Sequence, residues 1–489
     1  MGPRELFRKG ELSACIRMAE SSSTFAERVL QVQAYARLGS YDDALFAIAK
    51  VAPADRDDRA LLRAVEAQCH LLYGSAGRGR RVLADLGDAP SSIEARFEVA
   101  YAKALLAWNE GNATAMESAL ESIDVSSTPH LYGRWLSGRS WASALRGDYR
   151  EQLRRLEAAI AHMQTPAGCD VSMLATTTRS FVNLVREIAA PGAFEFASKA
   201  VQSIPWTTDL EQERFMTFRI LAWTYALRGM HETAMHYSFF ARDIAPSAMW
   251  VTACYADQAY LARMAGENRS ADALLRHAVS SAQEIEWISP GEERVALLNL
   301  VEIAADRDLA TANRLLDIYQ LIPVALSPRL ALSHDKRLQA MEKYARGTVL
   351  AVAGDRTAAV TLLQSSYSIF ESIGYAWRAA AAALRLDAVT GERAWLKLAA
   401  EAVEGFPESS VAAEIRKTAA AGVAPRSAGL TPAQRRVFDL ICQGLGDREI
   451  GAVLQISPDT VKNHAARVRS VFGVRSRAAL VAAAQREAG

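Results

Sequence analysis

Residues 429–485 read GLTPAQRRVFDLICQGLGDREIGAVLQISPDTVKNHAARVRSVFGVRSRAALVAAAQ, and their order of caps, apolar positions and basic residues spells out four helices. Thr431 is a cap, Pro432 suits the first helical position, and Gln434 stands where it closes a capping box. Val437, Leu440 and Ile441 give this helix an apolar face, and Gly444 ends it. A short helix is expected over 447–454, with Ile450, Val453 and Leu454 turned inward. Gln455 and Ile456 make a turn, and Ser457-Pro458 open a longer helix running to about Phe472. A last helix starts after Arg475 and Ser476.

Helix, tight turn, helix is the geometry that lays a second helix in the major groove of DNA. In the helix after Ser457, the residues Val461, Ala465, Val468 and Phe472 recur at helical spacing and should pack on a small core. Lys462, Asn463, Ala466, Arg467 and Ser470 fall on the other side. Lys and Arg donate to guanine edges or phosphates, Asn pairs bidentately with adenine, and the helix N-terminus itself favours phosphate. Arg448, Arg475 and Arg477 surround this helix and are candidates for phosphate contacts; for Arg477 an ion pair inside the domain is the alternative.

The segment resembles the LuxR/FixJ-type helix-turn-helix of bacterial transcription regulators. Leu430-Thr431-Pro432, Gly444-Leu445, Glu449-Ile450, Ile456-Ser457, Thr460-Val461-Lys462-Asn463-His464, Phe472-Gly473-Val474 and Ser476-Arg477 carry the likeness, in the right order over about sixty residues. The resemblance implies that Lys462 and Asn463 read bases, that Thr460, His464 and Arg477 frame the contact, and that the last helix contributes to dimerisation. Three positions depart from the pattern. Gly446 replaces a usual Ser cap, which predicts a weaker start for the short helix. Ala466 stands where a polar reader is frequent, and Val471 replaces a usual Lys.

Charge is uneven along the chain. From Leu430 onward nine Lys/Arg face five Asp/Glu, a net of about +4, while the whole chain carries +1. A basic module on an otherwise slightly acidic chain is the electrostatic footprint of nucleic-acid binding, and it argues against a helical bundle with a merely solvated basic face.

The remainder, within 489 residues of ordinary globular composition, is almost entirely helix-forming. Turns recur at Gly39, Gly111, Gly147, Gly192, Gly229, Gly266, Gly354 and Gly391, mostly about 36–45 residues apart or about twice that, the length of a two-helix repeat. Ala44, Ala234, Ala271 and Ala359 stand five residues after a turn glycine, small enough for close helix approach. Pro53 and Pro246 mark helix ends. The tract 322–336, with Pro323 and Pro328, interrupts the pattern. The whole resembles a degenerate tetratricopeptide-type array, like the helical-repeat sensor regions joined to LuxR-type domains in some bacterial regulators; an irregular all-helical domain is the alternative. Past about Ser410 the chain turns Ala-, Gly- and Ser-rich. Residues 414–420 still suit a helix, and 421–429 read as a tether stiffened by Pro425.

Other chemistry is thin. No phosphate-binding GxxxxGK[ST] occurs, and the GSAGRGRR stretch from Gly74 lacks its Lys-Ser/Thr. His231 and His236 do not share a helix face, and His70, His130, His162, His277 and His334 are isolated, so no metal site is expected. Trp135, Trp141, Trp223, Trp250 and Trp377 read as packing between helix pairs rather than as a ligand pocket. Cys15, Cys69, Cys169, Cys254 and Cys442 are scattered, as suits a reducing cytoplasm. The first residues show no signal core, and no apolar run is long enough to cross a bilayer.

These observations predict an all-α protein: a tetratricopeptide-like α-solenoid over 1–412, a linker over 413–428 and a small four-helix LuxR-type helix-turn-helix domain over 429–489. They predict a cytoplasmic, non-enzymatic, sequence-specific DNA-binding regulator without cofactor. It would act as a homodimer on double-stranded DNA, controlled by a ligand, peptide or protein in the repeats. The competing expectation is a helical-repeat scaffold tethered non-specifically to nucleic acid.

Overall fold

A computed structural model describes residues 1–73, 75–86, 89–188, 190, 192–282, 292–321, 336–423, 430–472, 474 and 476–488. Among these residues there are 27 α-helices, one short 3-10 turn and no strand. The chain divides into two compact units, Met1–Ala412 and Ala413–Gly489.

The first unit is a tetratricopeptide-like array of antiparallel helix pairs. One row runs Phe25–Arg37, Arg56–Tyr73, Ile93–Asn109 and Pro129–Arg146. It resumes through Val171–Glu187, Glu211–Ala226, Ala248–Met264, Glu292–Ala305, Lys336–Ala353 and Ala376–Thr390. Within each run a helix packs on the next member of the row and on the helix between them. All eight turn glycines read from the sequence have left-handed backbone, φ between 67° and 89°. Such a φ costs an L side chain about 1–2 kcal/mol, so glycine both ends one helix and reverses the chain there. Ala44, Ala234, Ala271 and Ala359 are all buried, as close packing of the second helix on the first requires. The interrupting tract 322–335, with Pro323, Pro328 and His334, lies outside the described residues, as does Gly74.

The glycine-rich stretch near residue 74 is mostly helix Ala76–Ala84. A Cβ on Gly79 would fall 2.6 Å from the Leu71 side chain, so this glycine lets two helices meet. The tryptophans serve packing. Trp223 and Trp377 are buried and their rings lie 5.9 Å apart, while Trp135 donates its indole N–H to the Leu120 carbonyl at 2.8 Å.

Polar ties cross the array. Glu98, buried, accepts from Arg134 at 2.6 Å and 3.2 Å and from Gln68 at 2.8 Å. Burial pushes its carboxyl up, but the Arg134 charge and these donors outweigh burial and hold it below the usual glutamate value. Other ties join residues far apart in sequence. Arg8 donates to the carbonyls of Pro166 and Cys169 at 2.6 Å and 3.0 Å, and the Ser13 amide donates to Asp209 at 2.9 Å. Thr207 donates to the Gly10 carbonyl at 3.0 Å. Trp377 donates to the Glu187 carboxylate at 2.9 Å, 190 residues away. Arg378 lies 4.0 Å over the Trp377 ring and donates to Asn299 at 2.8 Å and Glu302 at 3.3 Å. Both ends of the array are thus fastened to its middle.

Helix Ser410–Val423 crosses the boundary between the units. Ser409 caps it, accepting from the Ala412 amide at 3.2 Å. It runs past residue 420, where a tether was expected, because the Ala419–Ala420–Ala421 run favours helix. The rest of the tether, 424–429, lies outside the described residues.

Candidate nucleic-acid interface

In the second unit, Thr431 and Gln434 close their capping box: the Gln434 amide donates to Thr431 Oγ1 at 3.3 Å, and the Thr431 amide to Gln434 Oε1 at 3.0 Å. Helix Pro432–Cys442 follows. The next helix, Asp447–Leu454, starts without a side-chain cap at Gly446. Glu449 compensates by accepting the Gly446 amide at 2.6 Å, so the expected weakening is partly offset. Val453 departs from expectation. It is 58% exposed, whereas Ile450 and Gly451 are buried and Leu454 is half-buried. The inward arc of this helix is centred between Ile450, Leu454 and Gly451, which turns Val453 to the edge.

Gly451 explains that tilt. A Cβ there would sit 2.8 Å from the Ile456 carbonyl oxygen, so the turn folds directly onto the helix backbone. Gln455 makes the turn with φ 56°, the one non-glycine residue with left-handed backbone among those described. Gly451→Ala is therefore expected to push the turn outward and destabilise the unit by about 1–3 kcal/mol. A thermal melt unchanged from wild type would show that the turn has slack there.

The long helix is Pro458–Phe472. Ser457 Oγ accepts the Thr460 amide at 3.1 Å and lies 2.8 Å from the Thr460 hydroxyl, so Thr460 completes the cap. Val461, Ala465, Val468 and Phe472 are buried with Val437, Ile441, Ile450 and Leu480. Phe472 stacks on Phe438 with ring centroids 4.9 Å apart.

Residues 428–484 match the family model for bacterial regulatory proteins of the luxR family, GerE. They form a LuxR-family helix-turn-helix domain. The LuxR-type domain is the DNA-binding part of a transcription regulator. No curated protein matches the chain. Among solved structures, a Rap protein complexed with competence and sporulation factor is 12% identical. It covers 70% of this chain and 99% of its own, with a TM-score of 0.40. A human IFIT1 dimer with m7Gppp-AAAA is 13% identical over 85% of this chain and 94% of its own, with a TM-score of 0.41. Yeast Tom70 is 12% identical over 85% and 95%, with a TM-score of 0.29.

On the LuxR-type domain the side of the long helix away from the core carries Lys462, Asn463 and Arg467, all exposed. Lys462 Nζ lies 3.2 Å from Asp459 Oδ1 in a pair open to solvent, 65% and 87% exposed. Such pairs are worth about 0–1 kcal/mol, so the lysine can exchange its partner. Asn463, Arg467 and Arg448 have no side-chain partner among the described residues. His464 is half-buried, and its Nδ1 is shielded without a hydrogen-bond partner among those residues. Arg475 lies outside the described residues. Arg477 is occupied: it pairs with Asp447 at 2.6 Å and donates to the Leu445 carbonyl. It ties the last helix to the start of helix Asp447–Leu454. Arg477→Ala is expected to lower the melting temperature and leave the salt dependence of DNA binding unchanged; a shallower salt slope would restore it as a phosphate contact.

Asp459 is the residue that the sequence reading passed over. It lies four residues before Asn463, on the same exposed side, and a sequence pattern of basic groups does not single out an acid. Within helix Pro458–Phe472 its amide is the one in the first turn without a partner among the described residues, since Pro458 has none to give and Ser457 takes that of Thr460.

Among the described residues no helix is long and apolar enough to cross a membrane, and no group of His, Cys, Asp and Glu is arranged to hold a metal ion.

Proposed function

We propose that this chain is a cytoplasmic, sequence-specific transcription regulator that binds a two-fold DNA site as a dimer, under control of a ligand, peptide or protein held by the helical-repeat unit. Lys462 and Asn463 read base edges and Arg467 and Arg448 contact phosphate, with Arg475 as a further phosphate contact. Thr460 and His464 keep the reading helix in place, and Arg477 braces the frame. The observation that carries this reading is the LuxR-type domain whose helix Pro458–Phe472 turns a polar side, uncommitted to any strong partner, away from its core. A sixty-residue module suffices to bind DNA, so the long array ahead of it is assigned to sensing. Stacked helix pairs offer the extended surface that such a partner needs. A partner preferring one arrangement of the array shifts the population able to place two DNA-binding units on adjacent half-sites.

The test compares the full chain with residues 430–489, a segment that owns a core of its own. DNA recovered with the full chain is sequenced to find the preferred site. The full chain should bind that site as a dimer, keep its preference as salt rises, and change affinity on addition of cell extract. The fragment should bind more weakly and ignore the extract. Equal affinity, oligomeric state and response in the two would remove the sensing role. A preference that vanishes with salt would replace the regulator by a scaffold tethered to nucleic acid.

A further inference from the structure

We infer that Asp459 is a specificity-determining residue that reads cytosine, working beside Lys462 on a single guanine–cytosine pair; this rests on the DNA-reading role proposed for helix Pro458–Phe472. The placement comes first. The core side of that helix is set by Val461, Ala465, Val468 and Phe472. At 3.6 residues per turn, Asp459, Asn463 and Ser470 lie at the centre of the opposite side. Asp459 is in the first turn, the part of a reading helix that reaches base edges. It is 87% exposed, and among the described residues its carboxylate takes no partner but the Lys462 ammonium, 3.2 Å away.

Chemistry then narrows what such a carboxylate can meet. A carboxylate only accepts hydrogen bonds. Phosphates repel it, and guanine O6 and N7 and thymine O4 offer it only acceptors. The exocyclic amino group of cytosine is a donor in the major groove, and Asp is a known match for it. An ammonium a hydrogen-bond length away prefers guanine O6 and N7. The two edges lie side by side in one guanine–cytosine pair, so an adjacent anion and cation present a complementary pattern. Adenine also offers a donor, but its pair with thymine puts the thymine methyl and O4 where Lys462 finds no paired acceptors. In the absence of DNA the two side chains pair loosely, and the adjacent negative charge weakens the pull of Lys462 on random phosphates. Opposed charges therefore select for one base pair and against indiscriminate binding.

The test uses the full chain and its selected DNA site. Binding is measured to every single-base variant of that site for wild type, Asp459→Asn and Asp459→Ala. At one cytosine per half-site, wild type should discriminate by about 5- to 150-fold, and Asp459→Ala should lose most of that discrimination while keeping it elsewhere. Replacing that cytosine by an analogue without its exocyclic amino group should weaken wild type and leave Asp459→Ala unaffected. Affinity of Asp459→Ala for random DNA should rise, with a salt slope steeper by about one. If Asp459 only stabilises the helix N-terminus, the variants will melt lower and lose affinity evenly across all sequences, and the inference is overturned. Discrimination unchanged at every position overturns it as well. Wild type without any sequence preference would instead defeat the regulator reading on which it rests.

Discussion

Val461→Asp is expected to unfold the LuxR-type domain and abolish specific DNA binding. Val461 is fully buried among Val437, Ile450 and Phe472. An uncompensated buried charge costs about 3–5 kcal/mol, and a core of this size rarely supplies more than about that in total. The two figures are comparable, so the folded state loses its margin. The neighbouring residues should behave differently. Lys462→Ala and Asn463→Ala remove exposed groups, so circular dichroism and melting should match wild type. Specific affinity should fall by about 1–3 kcal/mol each, the worth of a base-edge contact. Should the buried and exposed variants melt alike, the assignment of the helix faces is wrong.

Trp377→Ala carries the largest expected effect in the array. The indole is 1% exposed, stacks near Trp223, supports Arg378 and donates to Glu187. Truncating a buried aromatic of this size costs about 3–5 kcal/mol. It also leaves the Glu187 carboxylate without one donor, which adds about 1–3 kcal/mol. The melting transition of the array should fall by several degrees, while that of the LuxR-type domain stays in place. Trp377→Phe keeps most of the packing and loses the donor, so it should lie between. An array transition unmoved by Trp377→Ala would show that the tie to Glu187 contributes nothing to stability.

Local chemistry made much of this structure legible in the sequence. The capping box at Thr431, the stop at Gly444 and the buried stripe from Val461 to Phe472 are each encoded within a few residues. The eight turn glycines are of the same kind. Val453 was misread because two aliphatic residues three apart look equivalent in a short helix, and only the contact between Gly451 and Ile456 decides which turns in. Arg477 shows the same limit: its partners, Leu445 and Asp447, lie about thirty residues earlier, and no local pattern separates an internal clamp from a phosphate contact. The fastenings of Arg8, Ser13 and Trp377 were invisible for that reason too, since a repeat pattern describes neighbours and says nothing of residues some 160–200 positions away.

Those fastenings bear on how the chain is made. An array whose units touch only their neighbours can fold behind the ribosome, one hairpin at a time. Here the amide of Ser13 waits for Asp209, 196 residues later, and Arg8 waits for the carbonyls of Pro166 and Cys169. At a synthesis rate of roughly 5–20 residues per second, that delay is on the order of ten to forty seconds. During it the surface around Gly10, later covered by Val171 and Leu210, stays open to whatever apolar surface is nearby. Nascent chains stalled before residue 210 should therefore be the aggregation-prone and chaperone-dependent species, while chains stalled far enough beyond it for residue 210 to clear the ribosome should already hold their first helices in place.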